Sequence, residues 1–205
     1  MIKKIKEFIA PPEEEKKVVI LDPSALGGQQ EPDLRVVGLF ADVNEEKIAE
    51  ILHNMLFFNA LNIQSEEKKP IVFYISTYGG NADDMFAMYD MMRNMRDSTE
   101  IHTVGLGKVM SAGVLMLAAG TKGHRYIGKN CRVMIHSVMG GNHGSLHNMM
   151  NEMEAIEQLQ DMYCDALISE TRLTRVKLKN MLERKVNVYL SAEEAVELGI
   201  ADEII

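Results

Sequence analysis

Polar and apolar positions fall into a regular pattern from about Leu34 onward. Arg35 to Phe40 reads as a short strand, and Asn44 is placed to cap a helix that carries Ile48, Ile51, Leu52, Met55 and Leu56 at helical spacing. After the polar stretch 64–69, Pro70 to Ile75 reads as a second strand. It ends in Ser76-Thr77-Tyr78-Gly79-Gly80, ahead of a helix with Met85, Met88, Met92 and Met95 on one face. The pattern then recurs. Ile101 to Leu106 reads as a buried strand, Gly107 to Gly113 as a small-residue turn, and Val114 to Ala119 as an apolar helix stopped by Gly120. Strand, glycine-rich turn and helix are thus written twice, which predicts stacked β–α units whose turns gather at the carboxyl ends of the strands, where open α/β sheets place ligands.

Further along, Arg132 to His136 reads as a strand ending in Gly140-Gly141, and Leu146, Met149, Met150, Met153, Ile156, Leu159, Met162, Tyr163 and Ala166 recur at helical spacing over 145–171. So long a helix overruns a small sheet, and its uncovered apolar stripe predicts oligomerisation. Leu190 to Gly199 reads as a capped helix, with Ser191 and Glu194 as a capping box and Gly199 as its stop. The first 33 residues differ. Pro11-Pro12, the charged run 13–17 and Gly27-Gly28 are loop-like and predict an N-terminal arm, mobile or a propeptide, ahead of one domain over 34–205.

Two residues carry candidate chemistry. Ser111 falls at a strand-to-helix turn, where the first helical amides lack intrahelical partners and can donate to an anionic oxygen, and His136 falls at a strand end, available as a general base. Gly79-Gly80 permits close backbone approach and could present a further N–H donor. His143 and His147 stand four apart but lack a third ligand in the motif, so no metal and no cofactor is expected.

Composition removes other classes. A chain of 205 residues with 46% apolar content supports one good core. A net charge of −8 and a pI near 5.3 argue against a nucleic-acid partner. Cys131 and Cys164 form no C-x-x-C pair and read as reduced, non-catalytic thiols. The absence of a long apolar run and the charged N-terminus predict no membrane span or signal peptide, and a cytoplasmic, organelle-stromal or virus-infected-host location.

The run GKVMSAGVLMLAAGTKGHRYIGKNCRVMIHSVMGG resembles the active-site region of the ClpP family of self-compartmentalised serine peptidases, in its serine environment, its A-A-G-x-K-G-x-R block and its R-V-M-I-H segment. Weaker similarity extends from about Leu34 to the C-terminus. The resemblance implies an α/β fold of repeated β-β-α units wound as a ClpP/crotonase-like superhelix, with a strand–helix handle at about 136–171. It further implies an ATP-dependent Clp protease proteolytic subunit, a serine endopeptidase that cleaves unfolded polypeptides inside a chamber. Heptameric rings stacked to fourteen subunits would be fed by an AAA+ Clp ATPase. No G-x-x-x-x-G-K-[ST] phosphate loop is present, as expected of a peptidase that borrows its ATPase. The implied roles are Ser111 as nucleophile, His136 as base, and the amides of Gly80 and Ala112 as oxyanion donors.

One position departs from the family pattern. The triad aspartate ordinarily stands four residues before the serine matching Ser191, and here that residue is Asn187. Its carbonyl can orient an imidazole but offers no charge to an imidazolium, so reduced activity is expected, and a weakly active or non-catalytic ring subunit is the alternative. Tyr78 stands where the family usually has proline. A crotonase-like acyl-CoA enzyme would need no Ser111 beside R-V-M-I-H, and a Ser111–Lys108 dyad is disfavoured by the presence of His136.

Overall fold

The computed structural model describes residues 34–141, 143–183 and 187–205, so the expected N-terminal arm lies outside the described residues. The chain order is β1 (Val36–Leu39), α1 (Glu45–Gln64), β2 (Ile71–Thr77), α2 (Ala82–Met95), β3 (Ile101–Met110), α3 (Ala112–Ala118), β4 (Arg125–Ile127), β5 (Arg132–Ile135), α4 (Leu146–Glu170), α5 (Arg175–Leu182), β6 (Val188–Leu190), α6 (Ala192–Glu197) and β7 (Glu203–Ile204). Strands β1-β2-β3-β4-β7 pair in that order, all parallel, while β5 pairs with β3 and antiparallel β6 closes against β5. Helices packed on a mainly parallel sheet make this a mixed α/β fold.

The strand on which the site depends is β3. Its first half, Thr103 to Gly105, pairs with β4, and its second half, Lys108 to Met110, pairs with β5. Gly107 between them has φ +64, a left-handed conformation open to glycine at little cost, and β2 shifts register between Ile75 and Thr77 alongside it. The sheet therefore forks here. The turn expected over Gly107 to Gly113 is correspondingly shorter: Lys108 to Met110 find ladder partners on β5 and Val109 is fully buried, so strand geometry persists until Ser111.

Helix α1 starts where Asn44 accepts from the Lys47 amide, and it buries Ile48, Ile51 and Met55, whereas Leu56, expected on the same face, is exposed. The four methionines expected on one face of α2, Met85, Met88, Met92 and Met95, are buried, and Met91 is half-buried. Helix α3 is apolar on every side because it is enclosed on every side: each residue from Ala112 to Ala118 is buried. The expected capping box of Ser191 and Glu194 starts α6, and Gly199 follows it with φ +71.

Helix α4 has two unlike halves. Its C-terminal part buries Tyr163, Ala166, Leu167 and Glu170, whereas Leu146, Met149, Met150, Met153 and Met162 are exposed. Glu170 anchors the buried part. Its carboxylate accepts from both terminal nitrogens of Arg96 at 2.9 and 3.0 Å and from the Tyr89 hydroxyl at 3.1 Å, and its backbone carbonyl accepts from Arg125 at 2.8 Å. Burial works to raise the carboxyl pKa, but the Arg96 guanidinium and the Lys122 ammonium outweigh it and hold the group below its ordinary value. Lys122 and Arg125 belong to the A-A-G-x-K-G-x-R block, whose basic residues thus serve to dock α4. Among the described residues, 136–141 and 143–145 carry no strand, since an edge segment without a neighbouring ladder has nothing to complete its backbone hydrogen bonds. No helix among the described residues is long and apolar enough to cross a membrane.

Candidate active site

Ser111 and His136 are brought together by the fork of the sheet. The Ser111 amide donates to the Met134 carbonyl at 2.8 Å, which pins the end of β3 to β5, and His136 follows Met134 by two residues, on the same side of the strand. The result is a 2.8 Å hydrogen bond between Ser111 Oγ and His136 Nε2. Both residues are half-buried, and desolvation lowers the His136 pKa below its ordinary value, which favours the neutral imidazole that can take a proton.

The backbone at Ser111 is unusual. With φ 53 and ψ −120 it is the one non-glycine residue of positive φ among the described residues, at a cost of about 1–3 kcal/mol that the surroundings must hold in place. Two contacts do so besides Met134. The buried Tyr163 on α4 donates its hydroxyl to the Ser111 carbonyl at 3.1 Å, and the same carbonyl accepts from the Val114 amide at 3.0 Å. Tyr163 reads in the sequence only as one apolar position in a helical stripe. The available signal is its phenol, which needs a partner when buried.

Ser111 occupies the N-cap position of α3, yet its side chain caps nothing. The amide of Ala112, the first of the helix, has no acceptor among the described residues. The other expected donor is presented by a different device. Val43 N donates to the Gly79 carbonyl at 2.8 Å, and Asn81 N donates to the Val43 carbonyl at 2.9 Å, a parallel bridge centred on Gly80. In such a bridge the central amide points away from its neighbour, and the Gly80 N–H has no acceptor among the described residues. Gly80, Ser111, Ala112 and His136 all line one cleft of about 990 Å3. The glycines are required sterically: a Cβ at Gly79 would sit 2.6 Å from Ser111 Cβ, and one at Gly80 would sit 2.8 Å from the Val43 nitrogen.

Asn187 lines the same cleft and is exposed. The β5–β6 ladder ends at Ile135↔Val188, so the next residues outward on the two strands are His136 and Asn187. Each lies one residue beyond the paired ladder, and among the described residues no hydrogen bond joins Asn187 to His136, and no carboxylate reaches the ring. Glu183 lies elsewhere, 3.5 Å from Lys179 in an exposed ion pair. Lys108, the alternative base, lies 4.6 Å over the Tyr78 ring, and Arg132 lies 4.7 Å over Tyr189. These two cation–aromatic pairs form walls of the cleft. Neither thiol is poised for catalysis: burial pushes Cys131 up to about 11 and also raises Cys164. His147 lies on exposed α4 surface, and His143 precedes that helix.

A serine held in a strained strand-to-helix turn, bonded to a neutral imidazole and flanked by two unpaired amides, is equipped for acyl transfer. Residues 31–205 match the family model described as Clp protease, and the chain belongs to that family. The parallel sheet and its helices have the mixed α/β, ClpP/crotonase-like architecture expected from the sequence.

Proposed function

We propose that this chain is the proteolytic subunit of an ATP-dependent Clp protease, a serine endopeptidase that cuts unfolded polypeptide within a ring chamber. The observation that carries this reading is the 2.8 Å bond from His136 Nε2 to Ser111 Oγ, beside two amides with no acceptor of their own. Ser111 Oγ forms a bond to the peptide carbonyl carbon while its proton passes to His136 Nε2. The Gly80 and Ala112 amides hold the resulting oxyanion. Collapse breaks the C–N bond, His136 returns the proton to the departing amine, and water then hydrolyses the acyl-serine by the same steps. Asn187, one residue beyond the β5–β6 ladder on the cleft, is the residue we take to orient the ring. The exposed apolar half of α4 supports assembly of like subunits, which we take to be heptameric rings stacked to fourteen, supplied by an AAA+ Clp ATPase.

A weakly active or non-catalytic ring subunit is the second reading, favoured by the lack of a carboxylate at His136 among the described residues. Reaction with a fluorophosphonate probe at native mass separates the two. Labelling of a large assembly, abolished by Ser111→Ala, is the expected result. An unlabelled assembly of native mass supports the non-catalytic reading, and a stable monomer at micromolar concentration overturns the ring.

A further inference from the structure

At the other end of β3 from Ser111 stands a second group of side chains that peptide hydrolysis does not use. His102 is the second residue of β3, Glu100 precedes the strand, and His124 immediately precedes β4. The backbone fixes their neighbourhood, since the Thr103 amide donates to the His124 carbonyl at 3.1 Å and ties the lead-in of β4 to the start of β3. The two imidazoles stack with centroids 4.2 Å apart and planes 10° apart. Glu100 Oε2 lies 3.0 Å from His102 Nε2 and 4.0 Å from His124 Nε2. All three ligand atoms thus lie within 4.8 Å of one another.

We propose that Glu100, His102 and His124 bind a divalent transition metal of the zinc type. Bonds of about 2.0–2.1 Å in tetrahedral geometry need ligand atoms roughly 3.4 Å apart, and each ring must hold the metal in its own plane, so binding requires the two imidazoles to leave their stack and tilt toward a common point. The donor set selects the metal class: imidazole with one carboxylate suits zinc and its neighbours, whereas calcium and magnesium prefer oxygen alone. Tyr126 Oη lies 3.4 Å from His124 Nδ1, so the phenol can accept from an Nδ1–H and leave the Nε2 lone pair facing Glu100 and the metal. His102 is largely shielded at 19% exposure while Glu100 is 58% exposed, giving one firm ligand and a solvent-side path of entry. Bound metal would clamp the segment before β3 to the segment before β4. The ligands come from two strand lead-ins some twenty residues apart, so no single helix or compact motif announces them.

Untagged, chelator-stripped full-length protein titrated with Co2+ and Zn2+ tests the site. One equivalent should bind, with intense visible Co2+ bands and no thiolate charge-transfer band, and saturating Zn2+ should raise Tm by mass action. His102→Gln and His124→Gln should each weaken binding by at least about tenfold, as loss of even an outer ligand partner does. Both variants should lose the zinc-dependent Tm rise while melting like wild type in chelator. His136→Gln should leave the metal affinity unchanged. Binding weaker than about 100 μM, far short of the affinity of protein zinc sites, overturns the proposal. So does binding that survives both His102→Gln and His124→Gln, or a thiolate band that places the metal on a cysteine.

Discussion

The turn after β2 and the turn after β3 are built from the same plan and put to opposite use. Each ends a central parallel strand, contains a residue of positive φ and starts a helix. After β2 the positive φ values fall on Gly79 and Gly80, and the next residue, Asn81, caps α2 by accepting from the Asp83 and Asp84 amides at 2.7 and 3.1 Å. After β3 the positive φ falls on Ser111, and the cap hydroxyl is turned to His136. The first turn satisfies its helix and relaxes its backbone. The second leaves the Ala112 amide open and carries backbone strain at the residue proposed as nucleophile. The comparison locates catalytic potential in what a turn leaves unsatisfied, and it separates stability from activity residue by residue.

The sharpest way to break the contrast is at Ser111 itself. Ser111→Ala should abolish peptide hydrolysis, a loss on the order of 10⁶ in kcat for a serine nucleophile, while leaving Tm nearly unchanged because the hydroxyl caps nothing. Ser111→Gly should be equally inactive but more stable than Ser111→Ala, since glycine adopts φ 53 at little cost. Peptidase assays with matched thermal melts check both. A large stability loss in Ser111→Ala would show that the hydroxyl is structural after all.

Asn187→Asp should act in the opposite direction. A carboxylate opposite His136 would stabilise the imidazolium of the transition state and raise kcat on a short peptide by about 10² to 10⁴. The pH profile gives an independent reading. Burial lowers the His136 pKa, so the wild-type acid limb should have its midpoint below 6.5, with activity present above it and lost as pH falls through it. An adjacent carboxylate favours the charged ring, so in Asn187→Asp the same limb should move to higher pH by about one unit or more. An unchanged rate and an unmoved limb in a normally assembled variant would remove Asn187 from the mechanism.

Gly80→Ala tests how far the first turn serves the second. Its φ of +150 and the Val43 backbone leave no room for a methyl group, so the bridge that aims the Gly80 amide into the cleft should distort. Loss of one oxyanion donor lowers kcat by about 10² to 10³, and the fluorophosphonate reaction should slow with it. A folded Gly80→Ala protein with unchanged kcat would show that the added methyl group leaves the aim of this amide intact or that its aim does not limit the rate.

Much of this arrangement can be read from residue order, because it rests on local chemistry. Asn44 and Ser191 cap as their side chains dictate, Met85, Met88, Met92 and Met95 bury at their helical spacing, and Ser111 and His136 meet because each stands at a strand end. What residue order conceals is long-range. Lys108 to Met110 extend β3 only because β5 offers a ladder, and Tyr163 reaches Ser111 from a helix more than fifty residues on. Glu170 gathers Tyr89 and Arg96 from α2 and its C-cap, and Arg125 from β4. Asn187 shows the limit most clearly: its place one residue past the β5–β6 ladder, as His136 is, follows from that pairing, while the missing hydrogen bond is a matter of side-chain geometry.

The smallest expected effect lies at Asn81, the ordinary counterpart of Ser111. Asn81→Ala removes the side-chain bonds to the Asp83 and Asp84 amides and should destabilise the chain by about 1 kcal/mol, or roughly 2–4 °C in Tm for a domain of this size. Activity should persist, because Asn81 holds Gly80 in place through its backbone: the bond from Asn81 N to the Val43 carbonyl, 2.9 Å, does not depend on the side chain. Stability should therefore fall where kcat does not, the inverse of Ser111→Ala at the matching cap position. Thermal melts and peptide kinetics on the two variants together make the test. A drop in kcat for Asn81→Ala beyond about tenfold, equivalent to about 1.4 kcal/mol of barrier, would mean that fraying of α2 reaches the Gly80 amide and that the two turns are one mechanical unit.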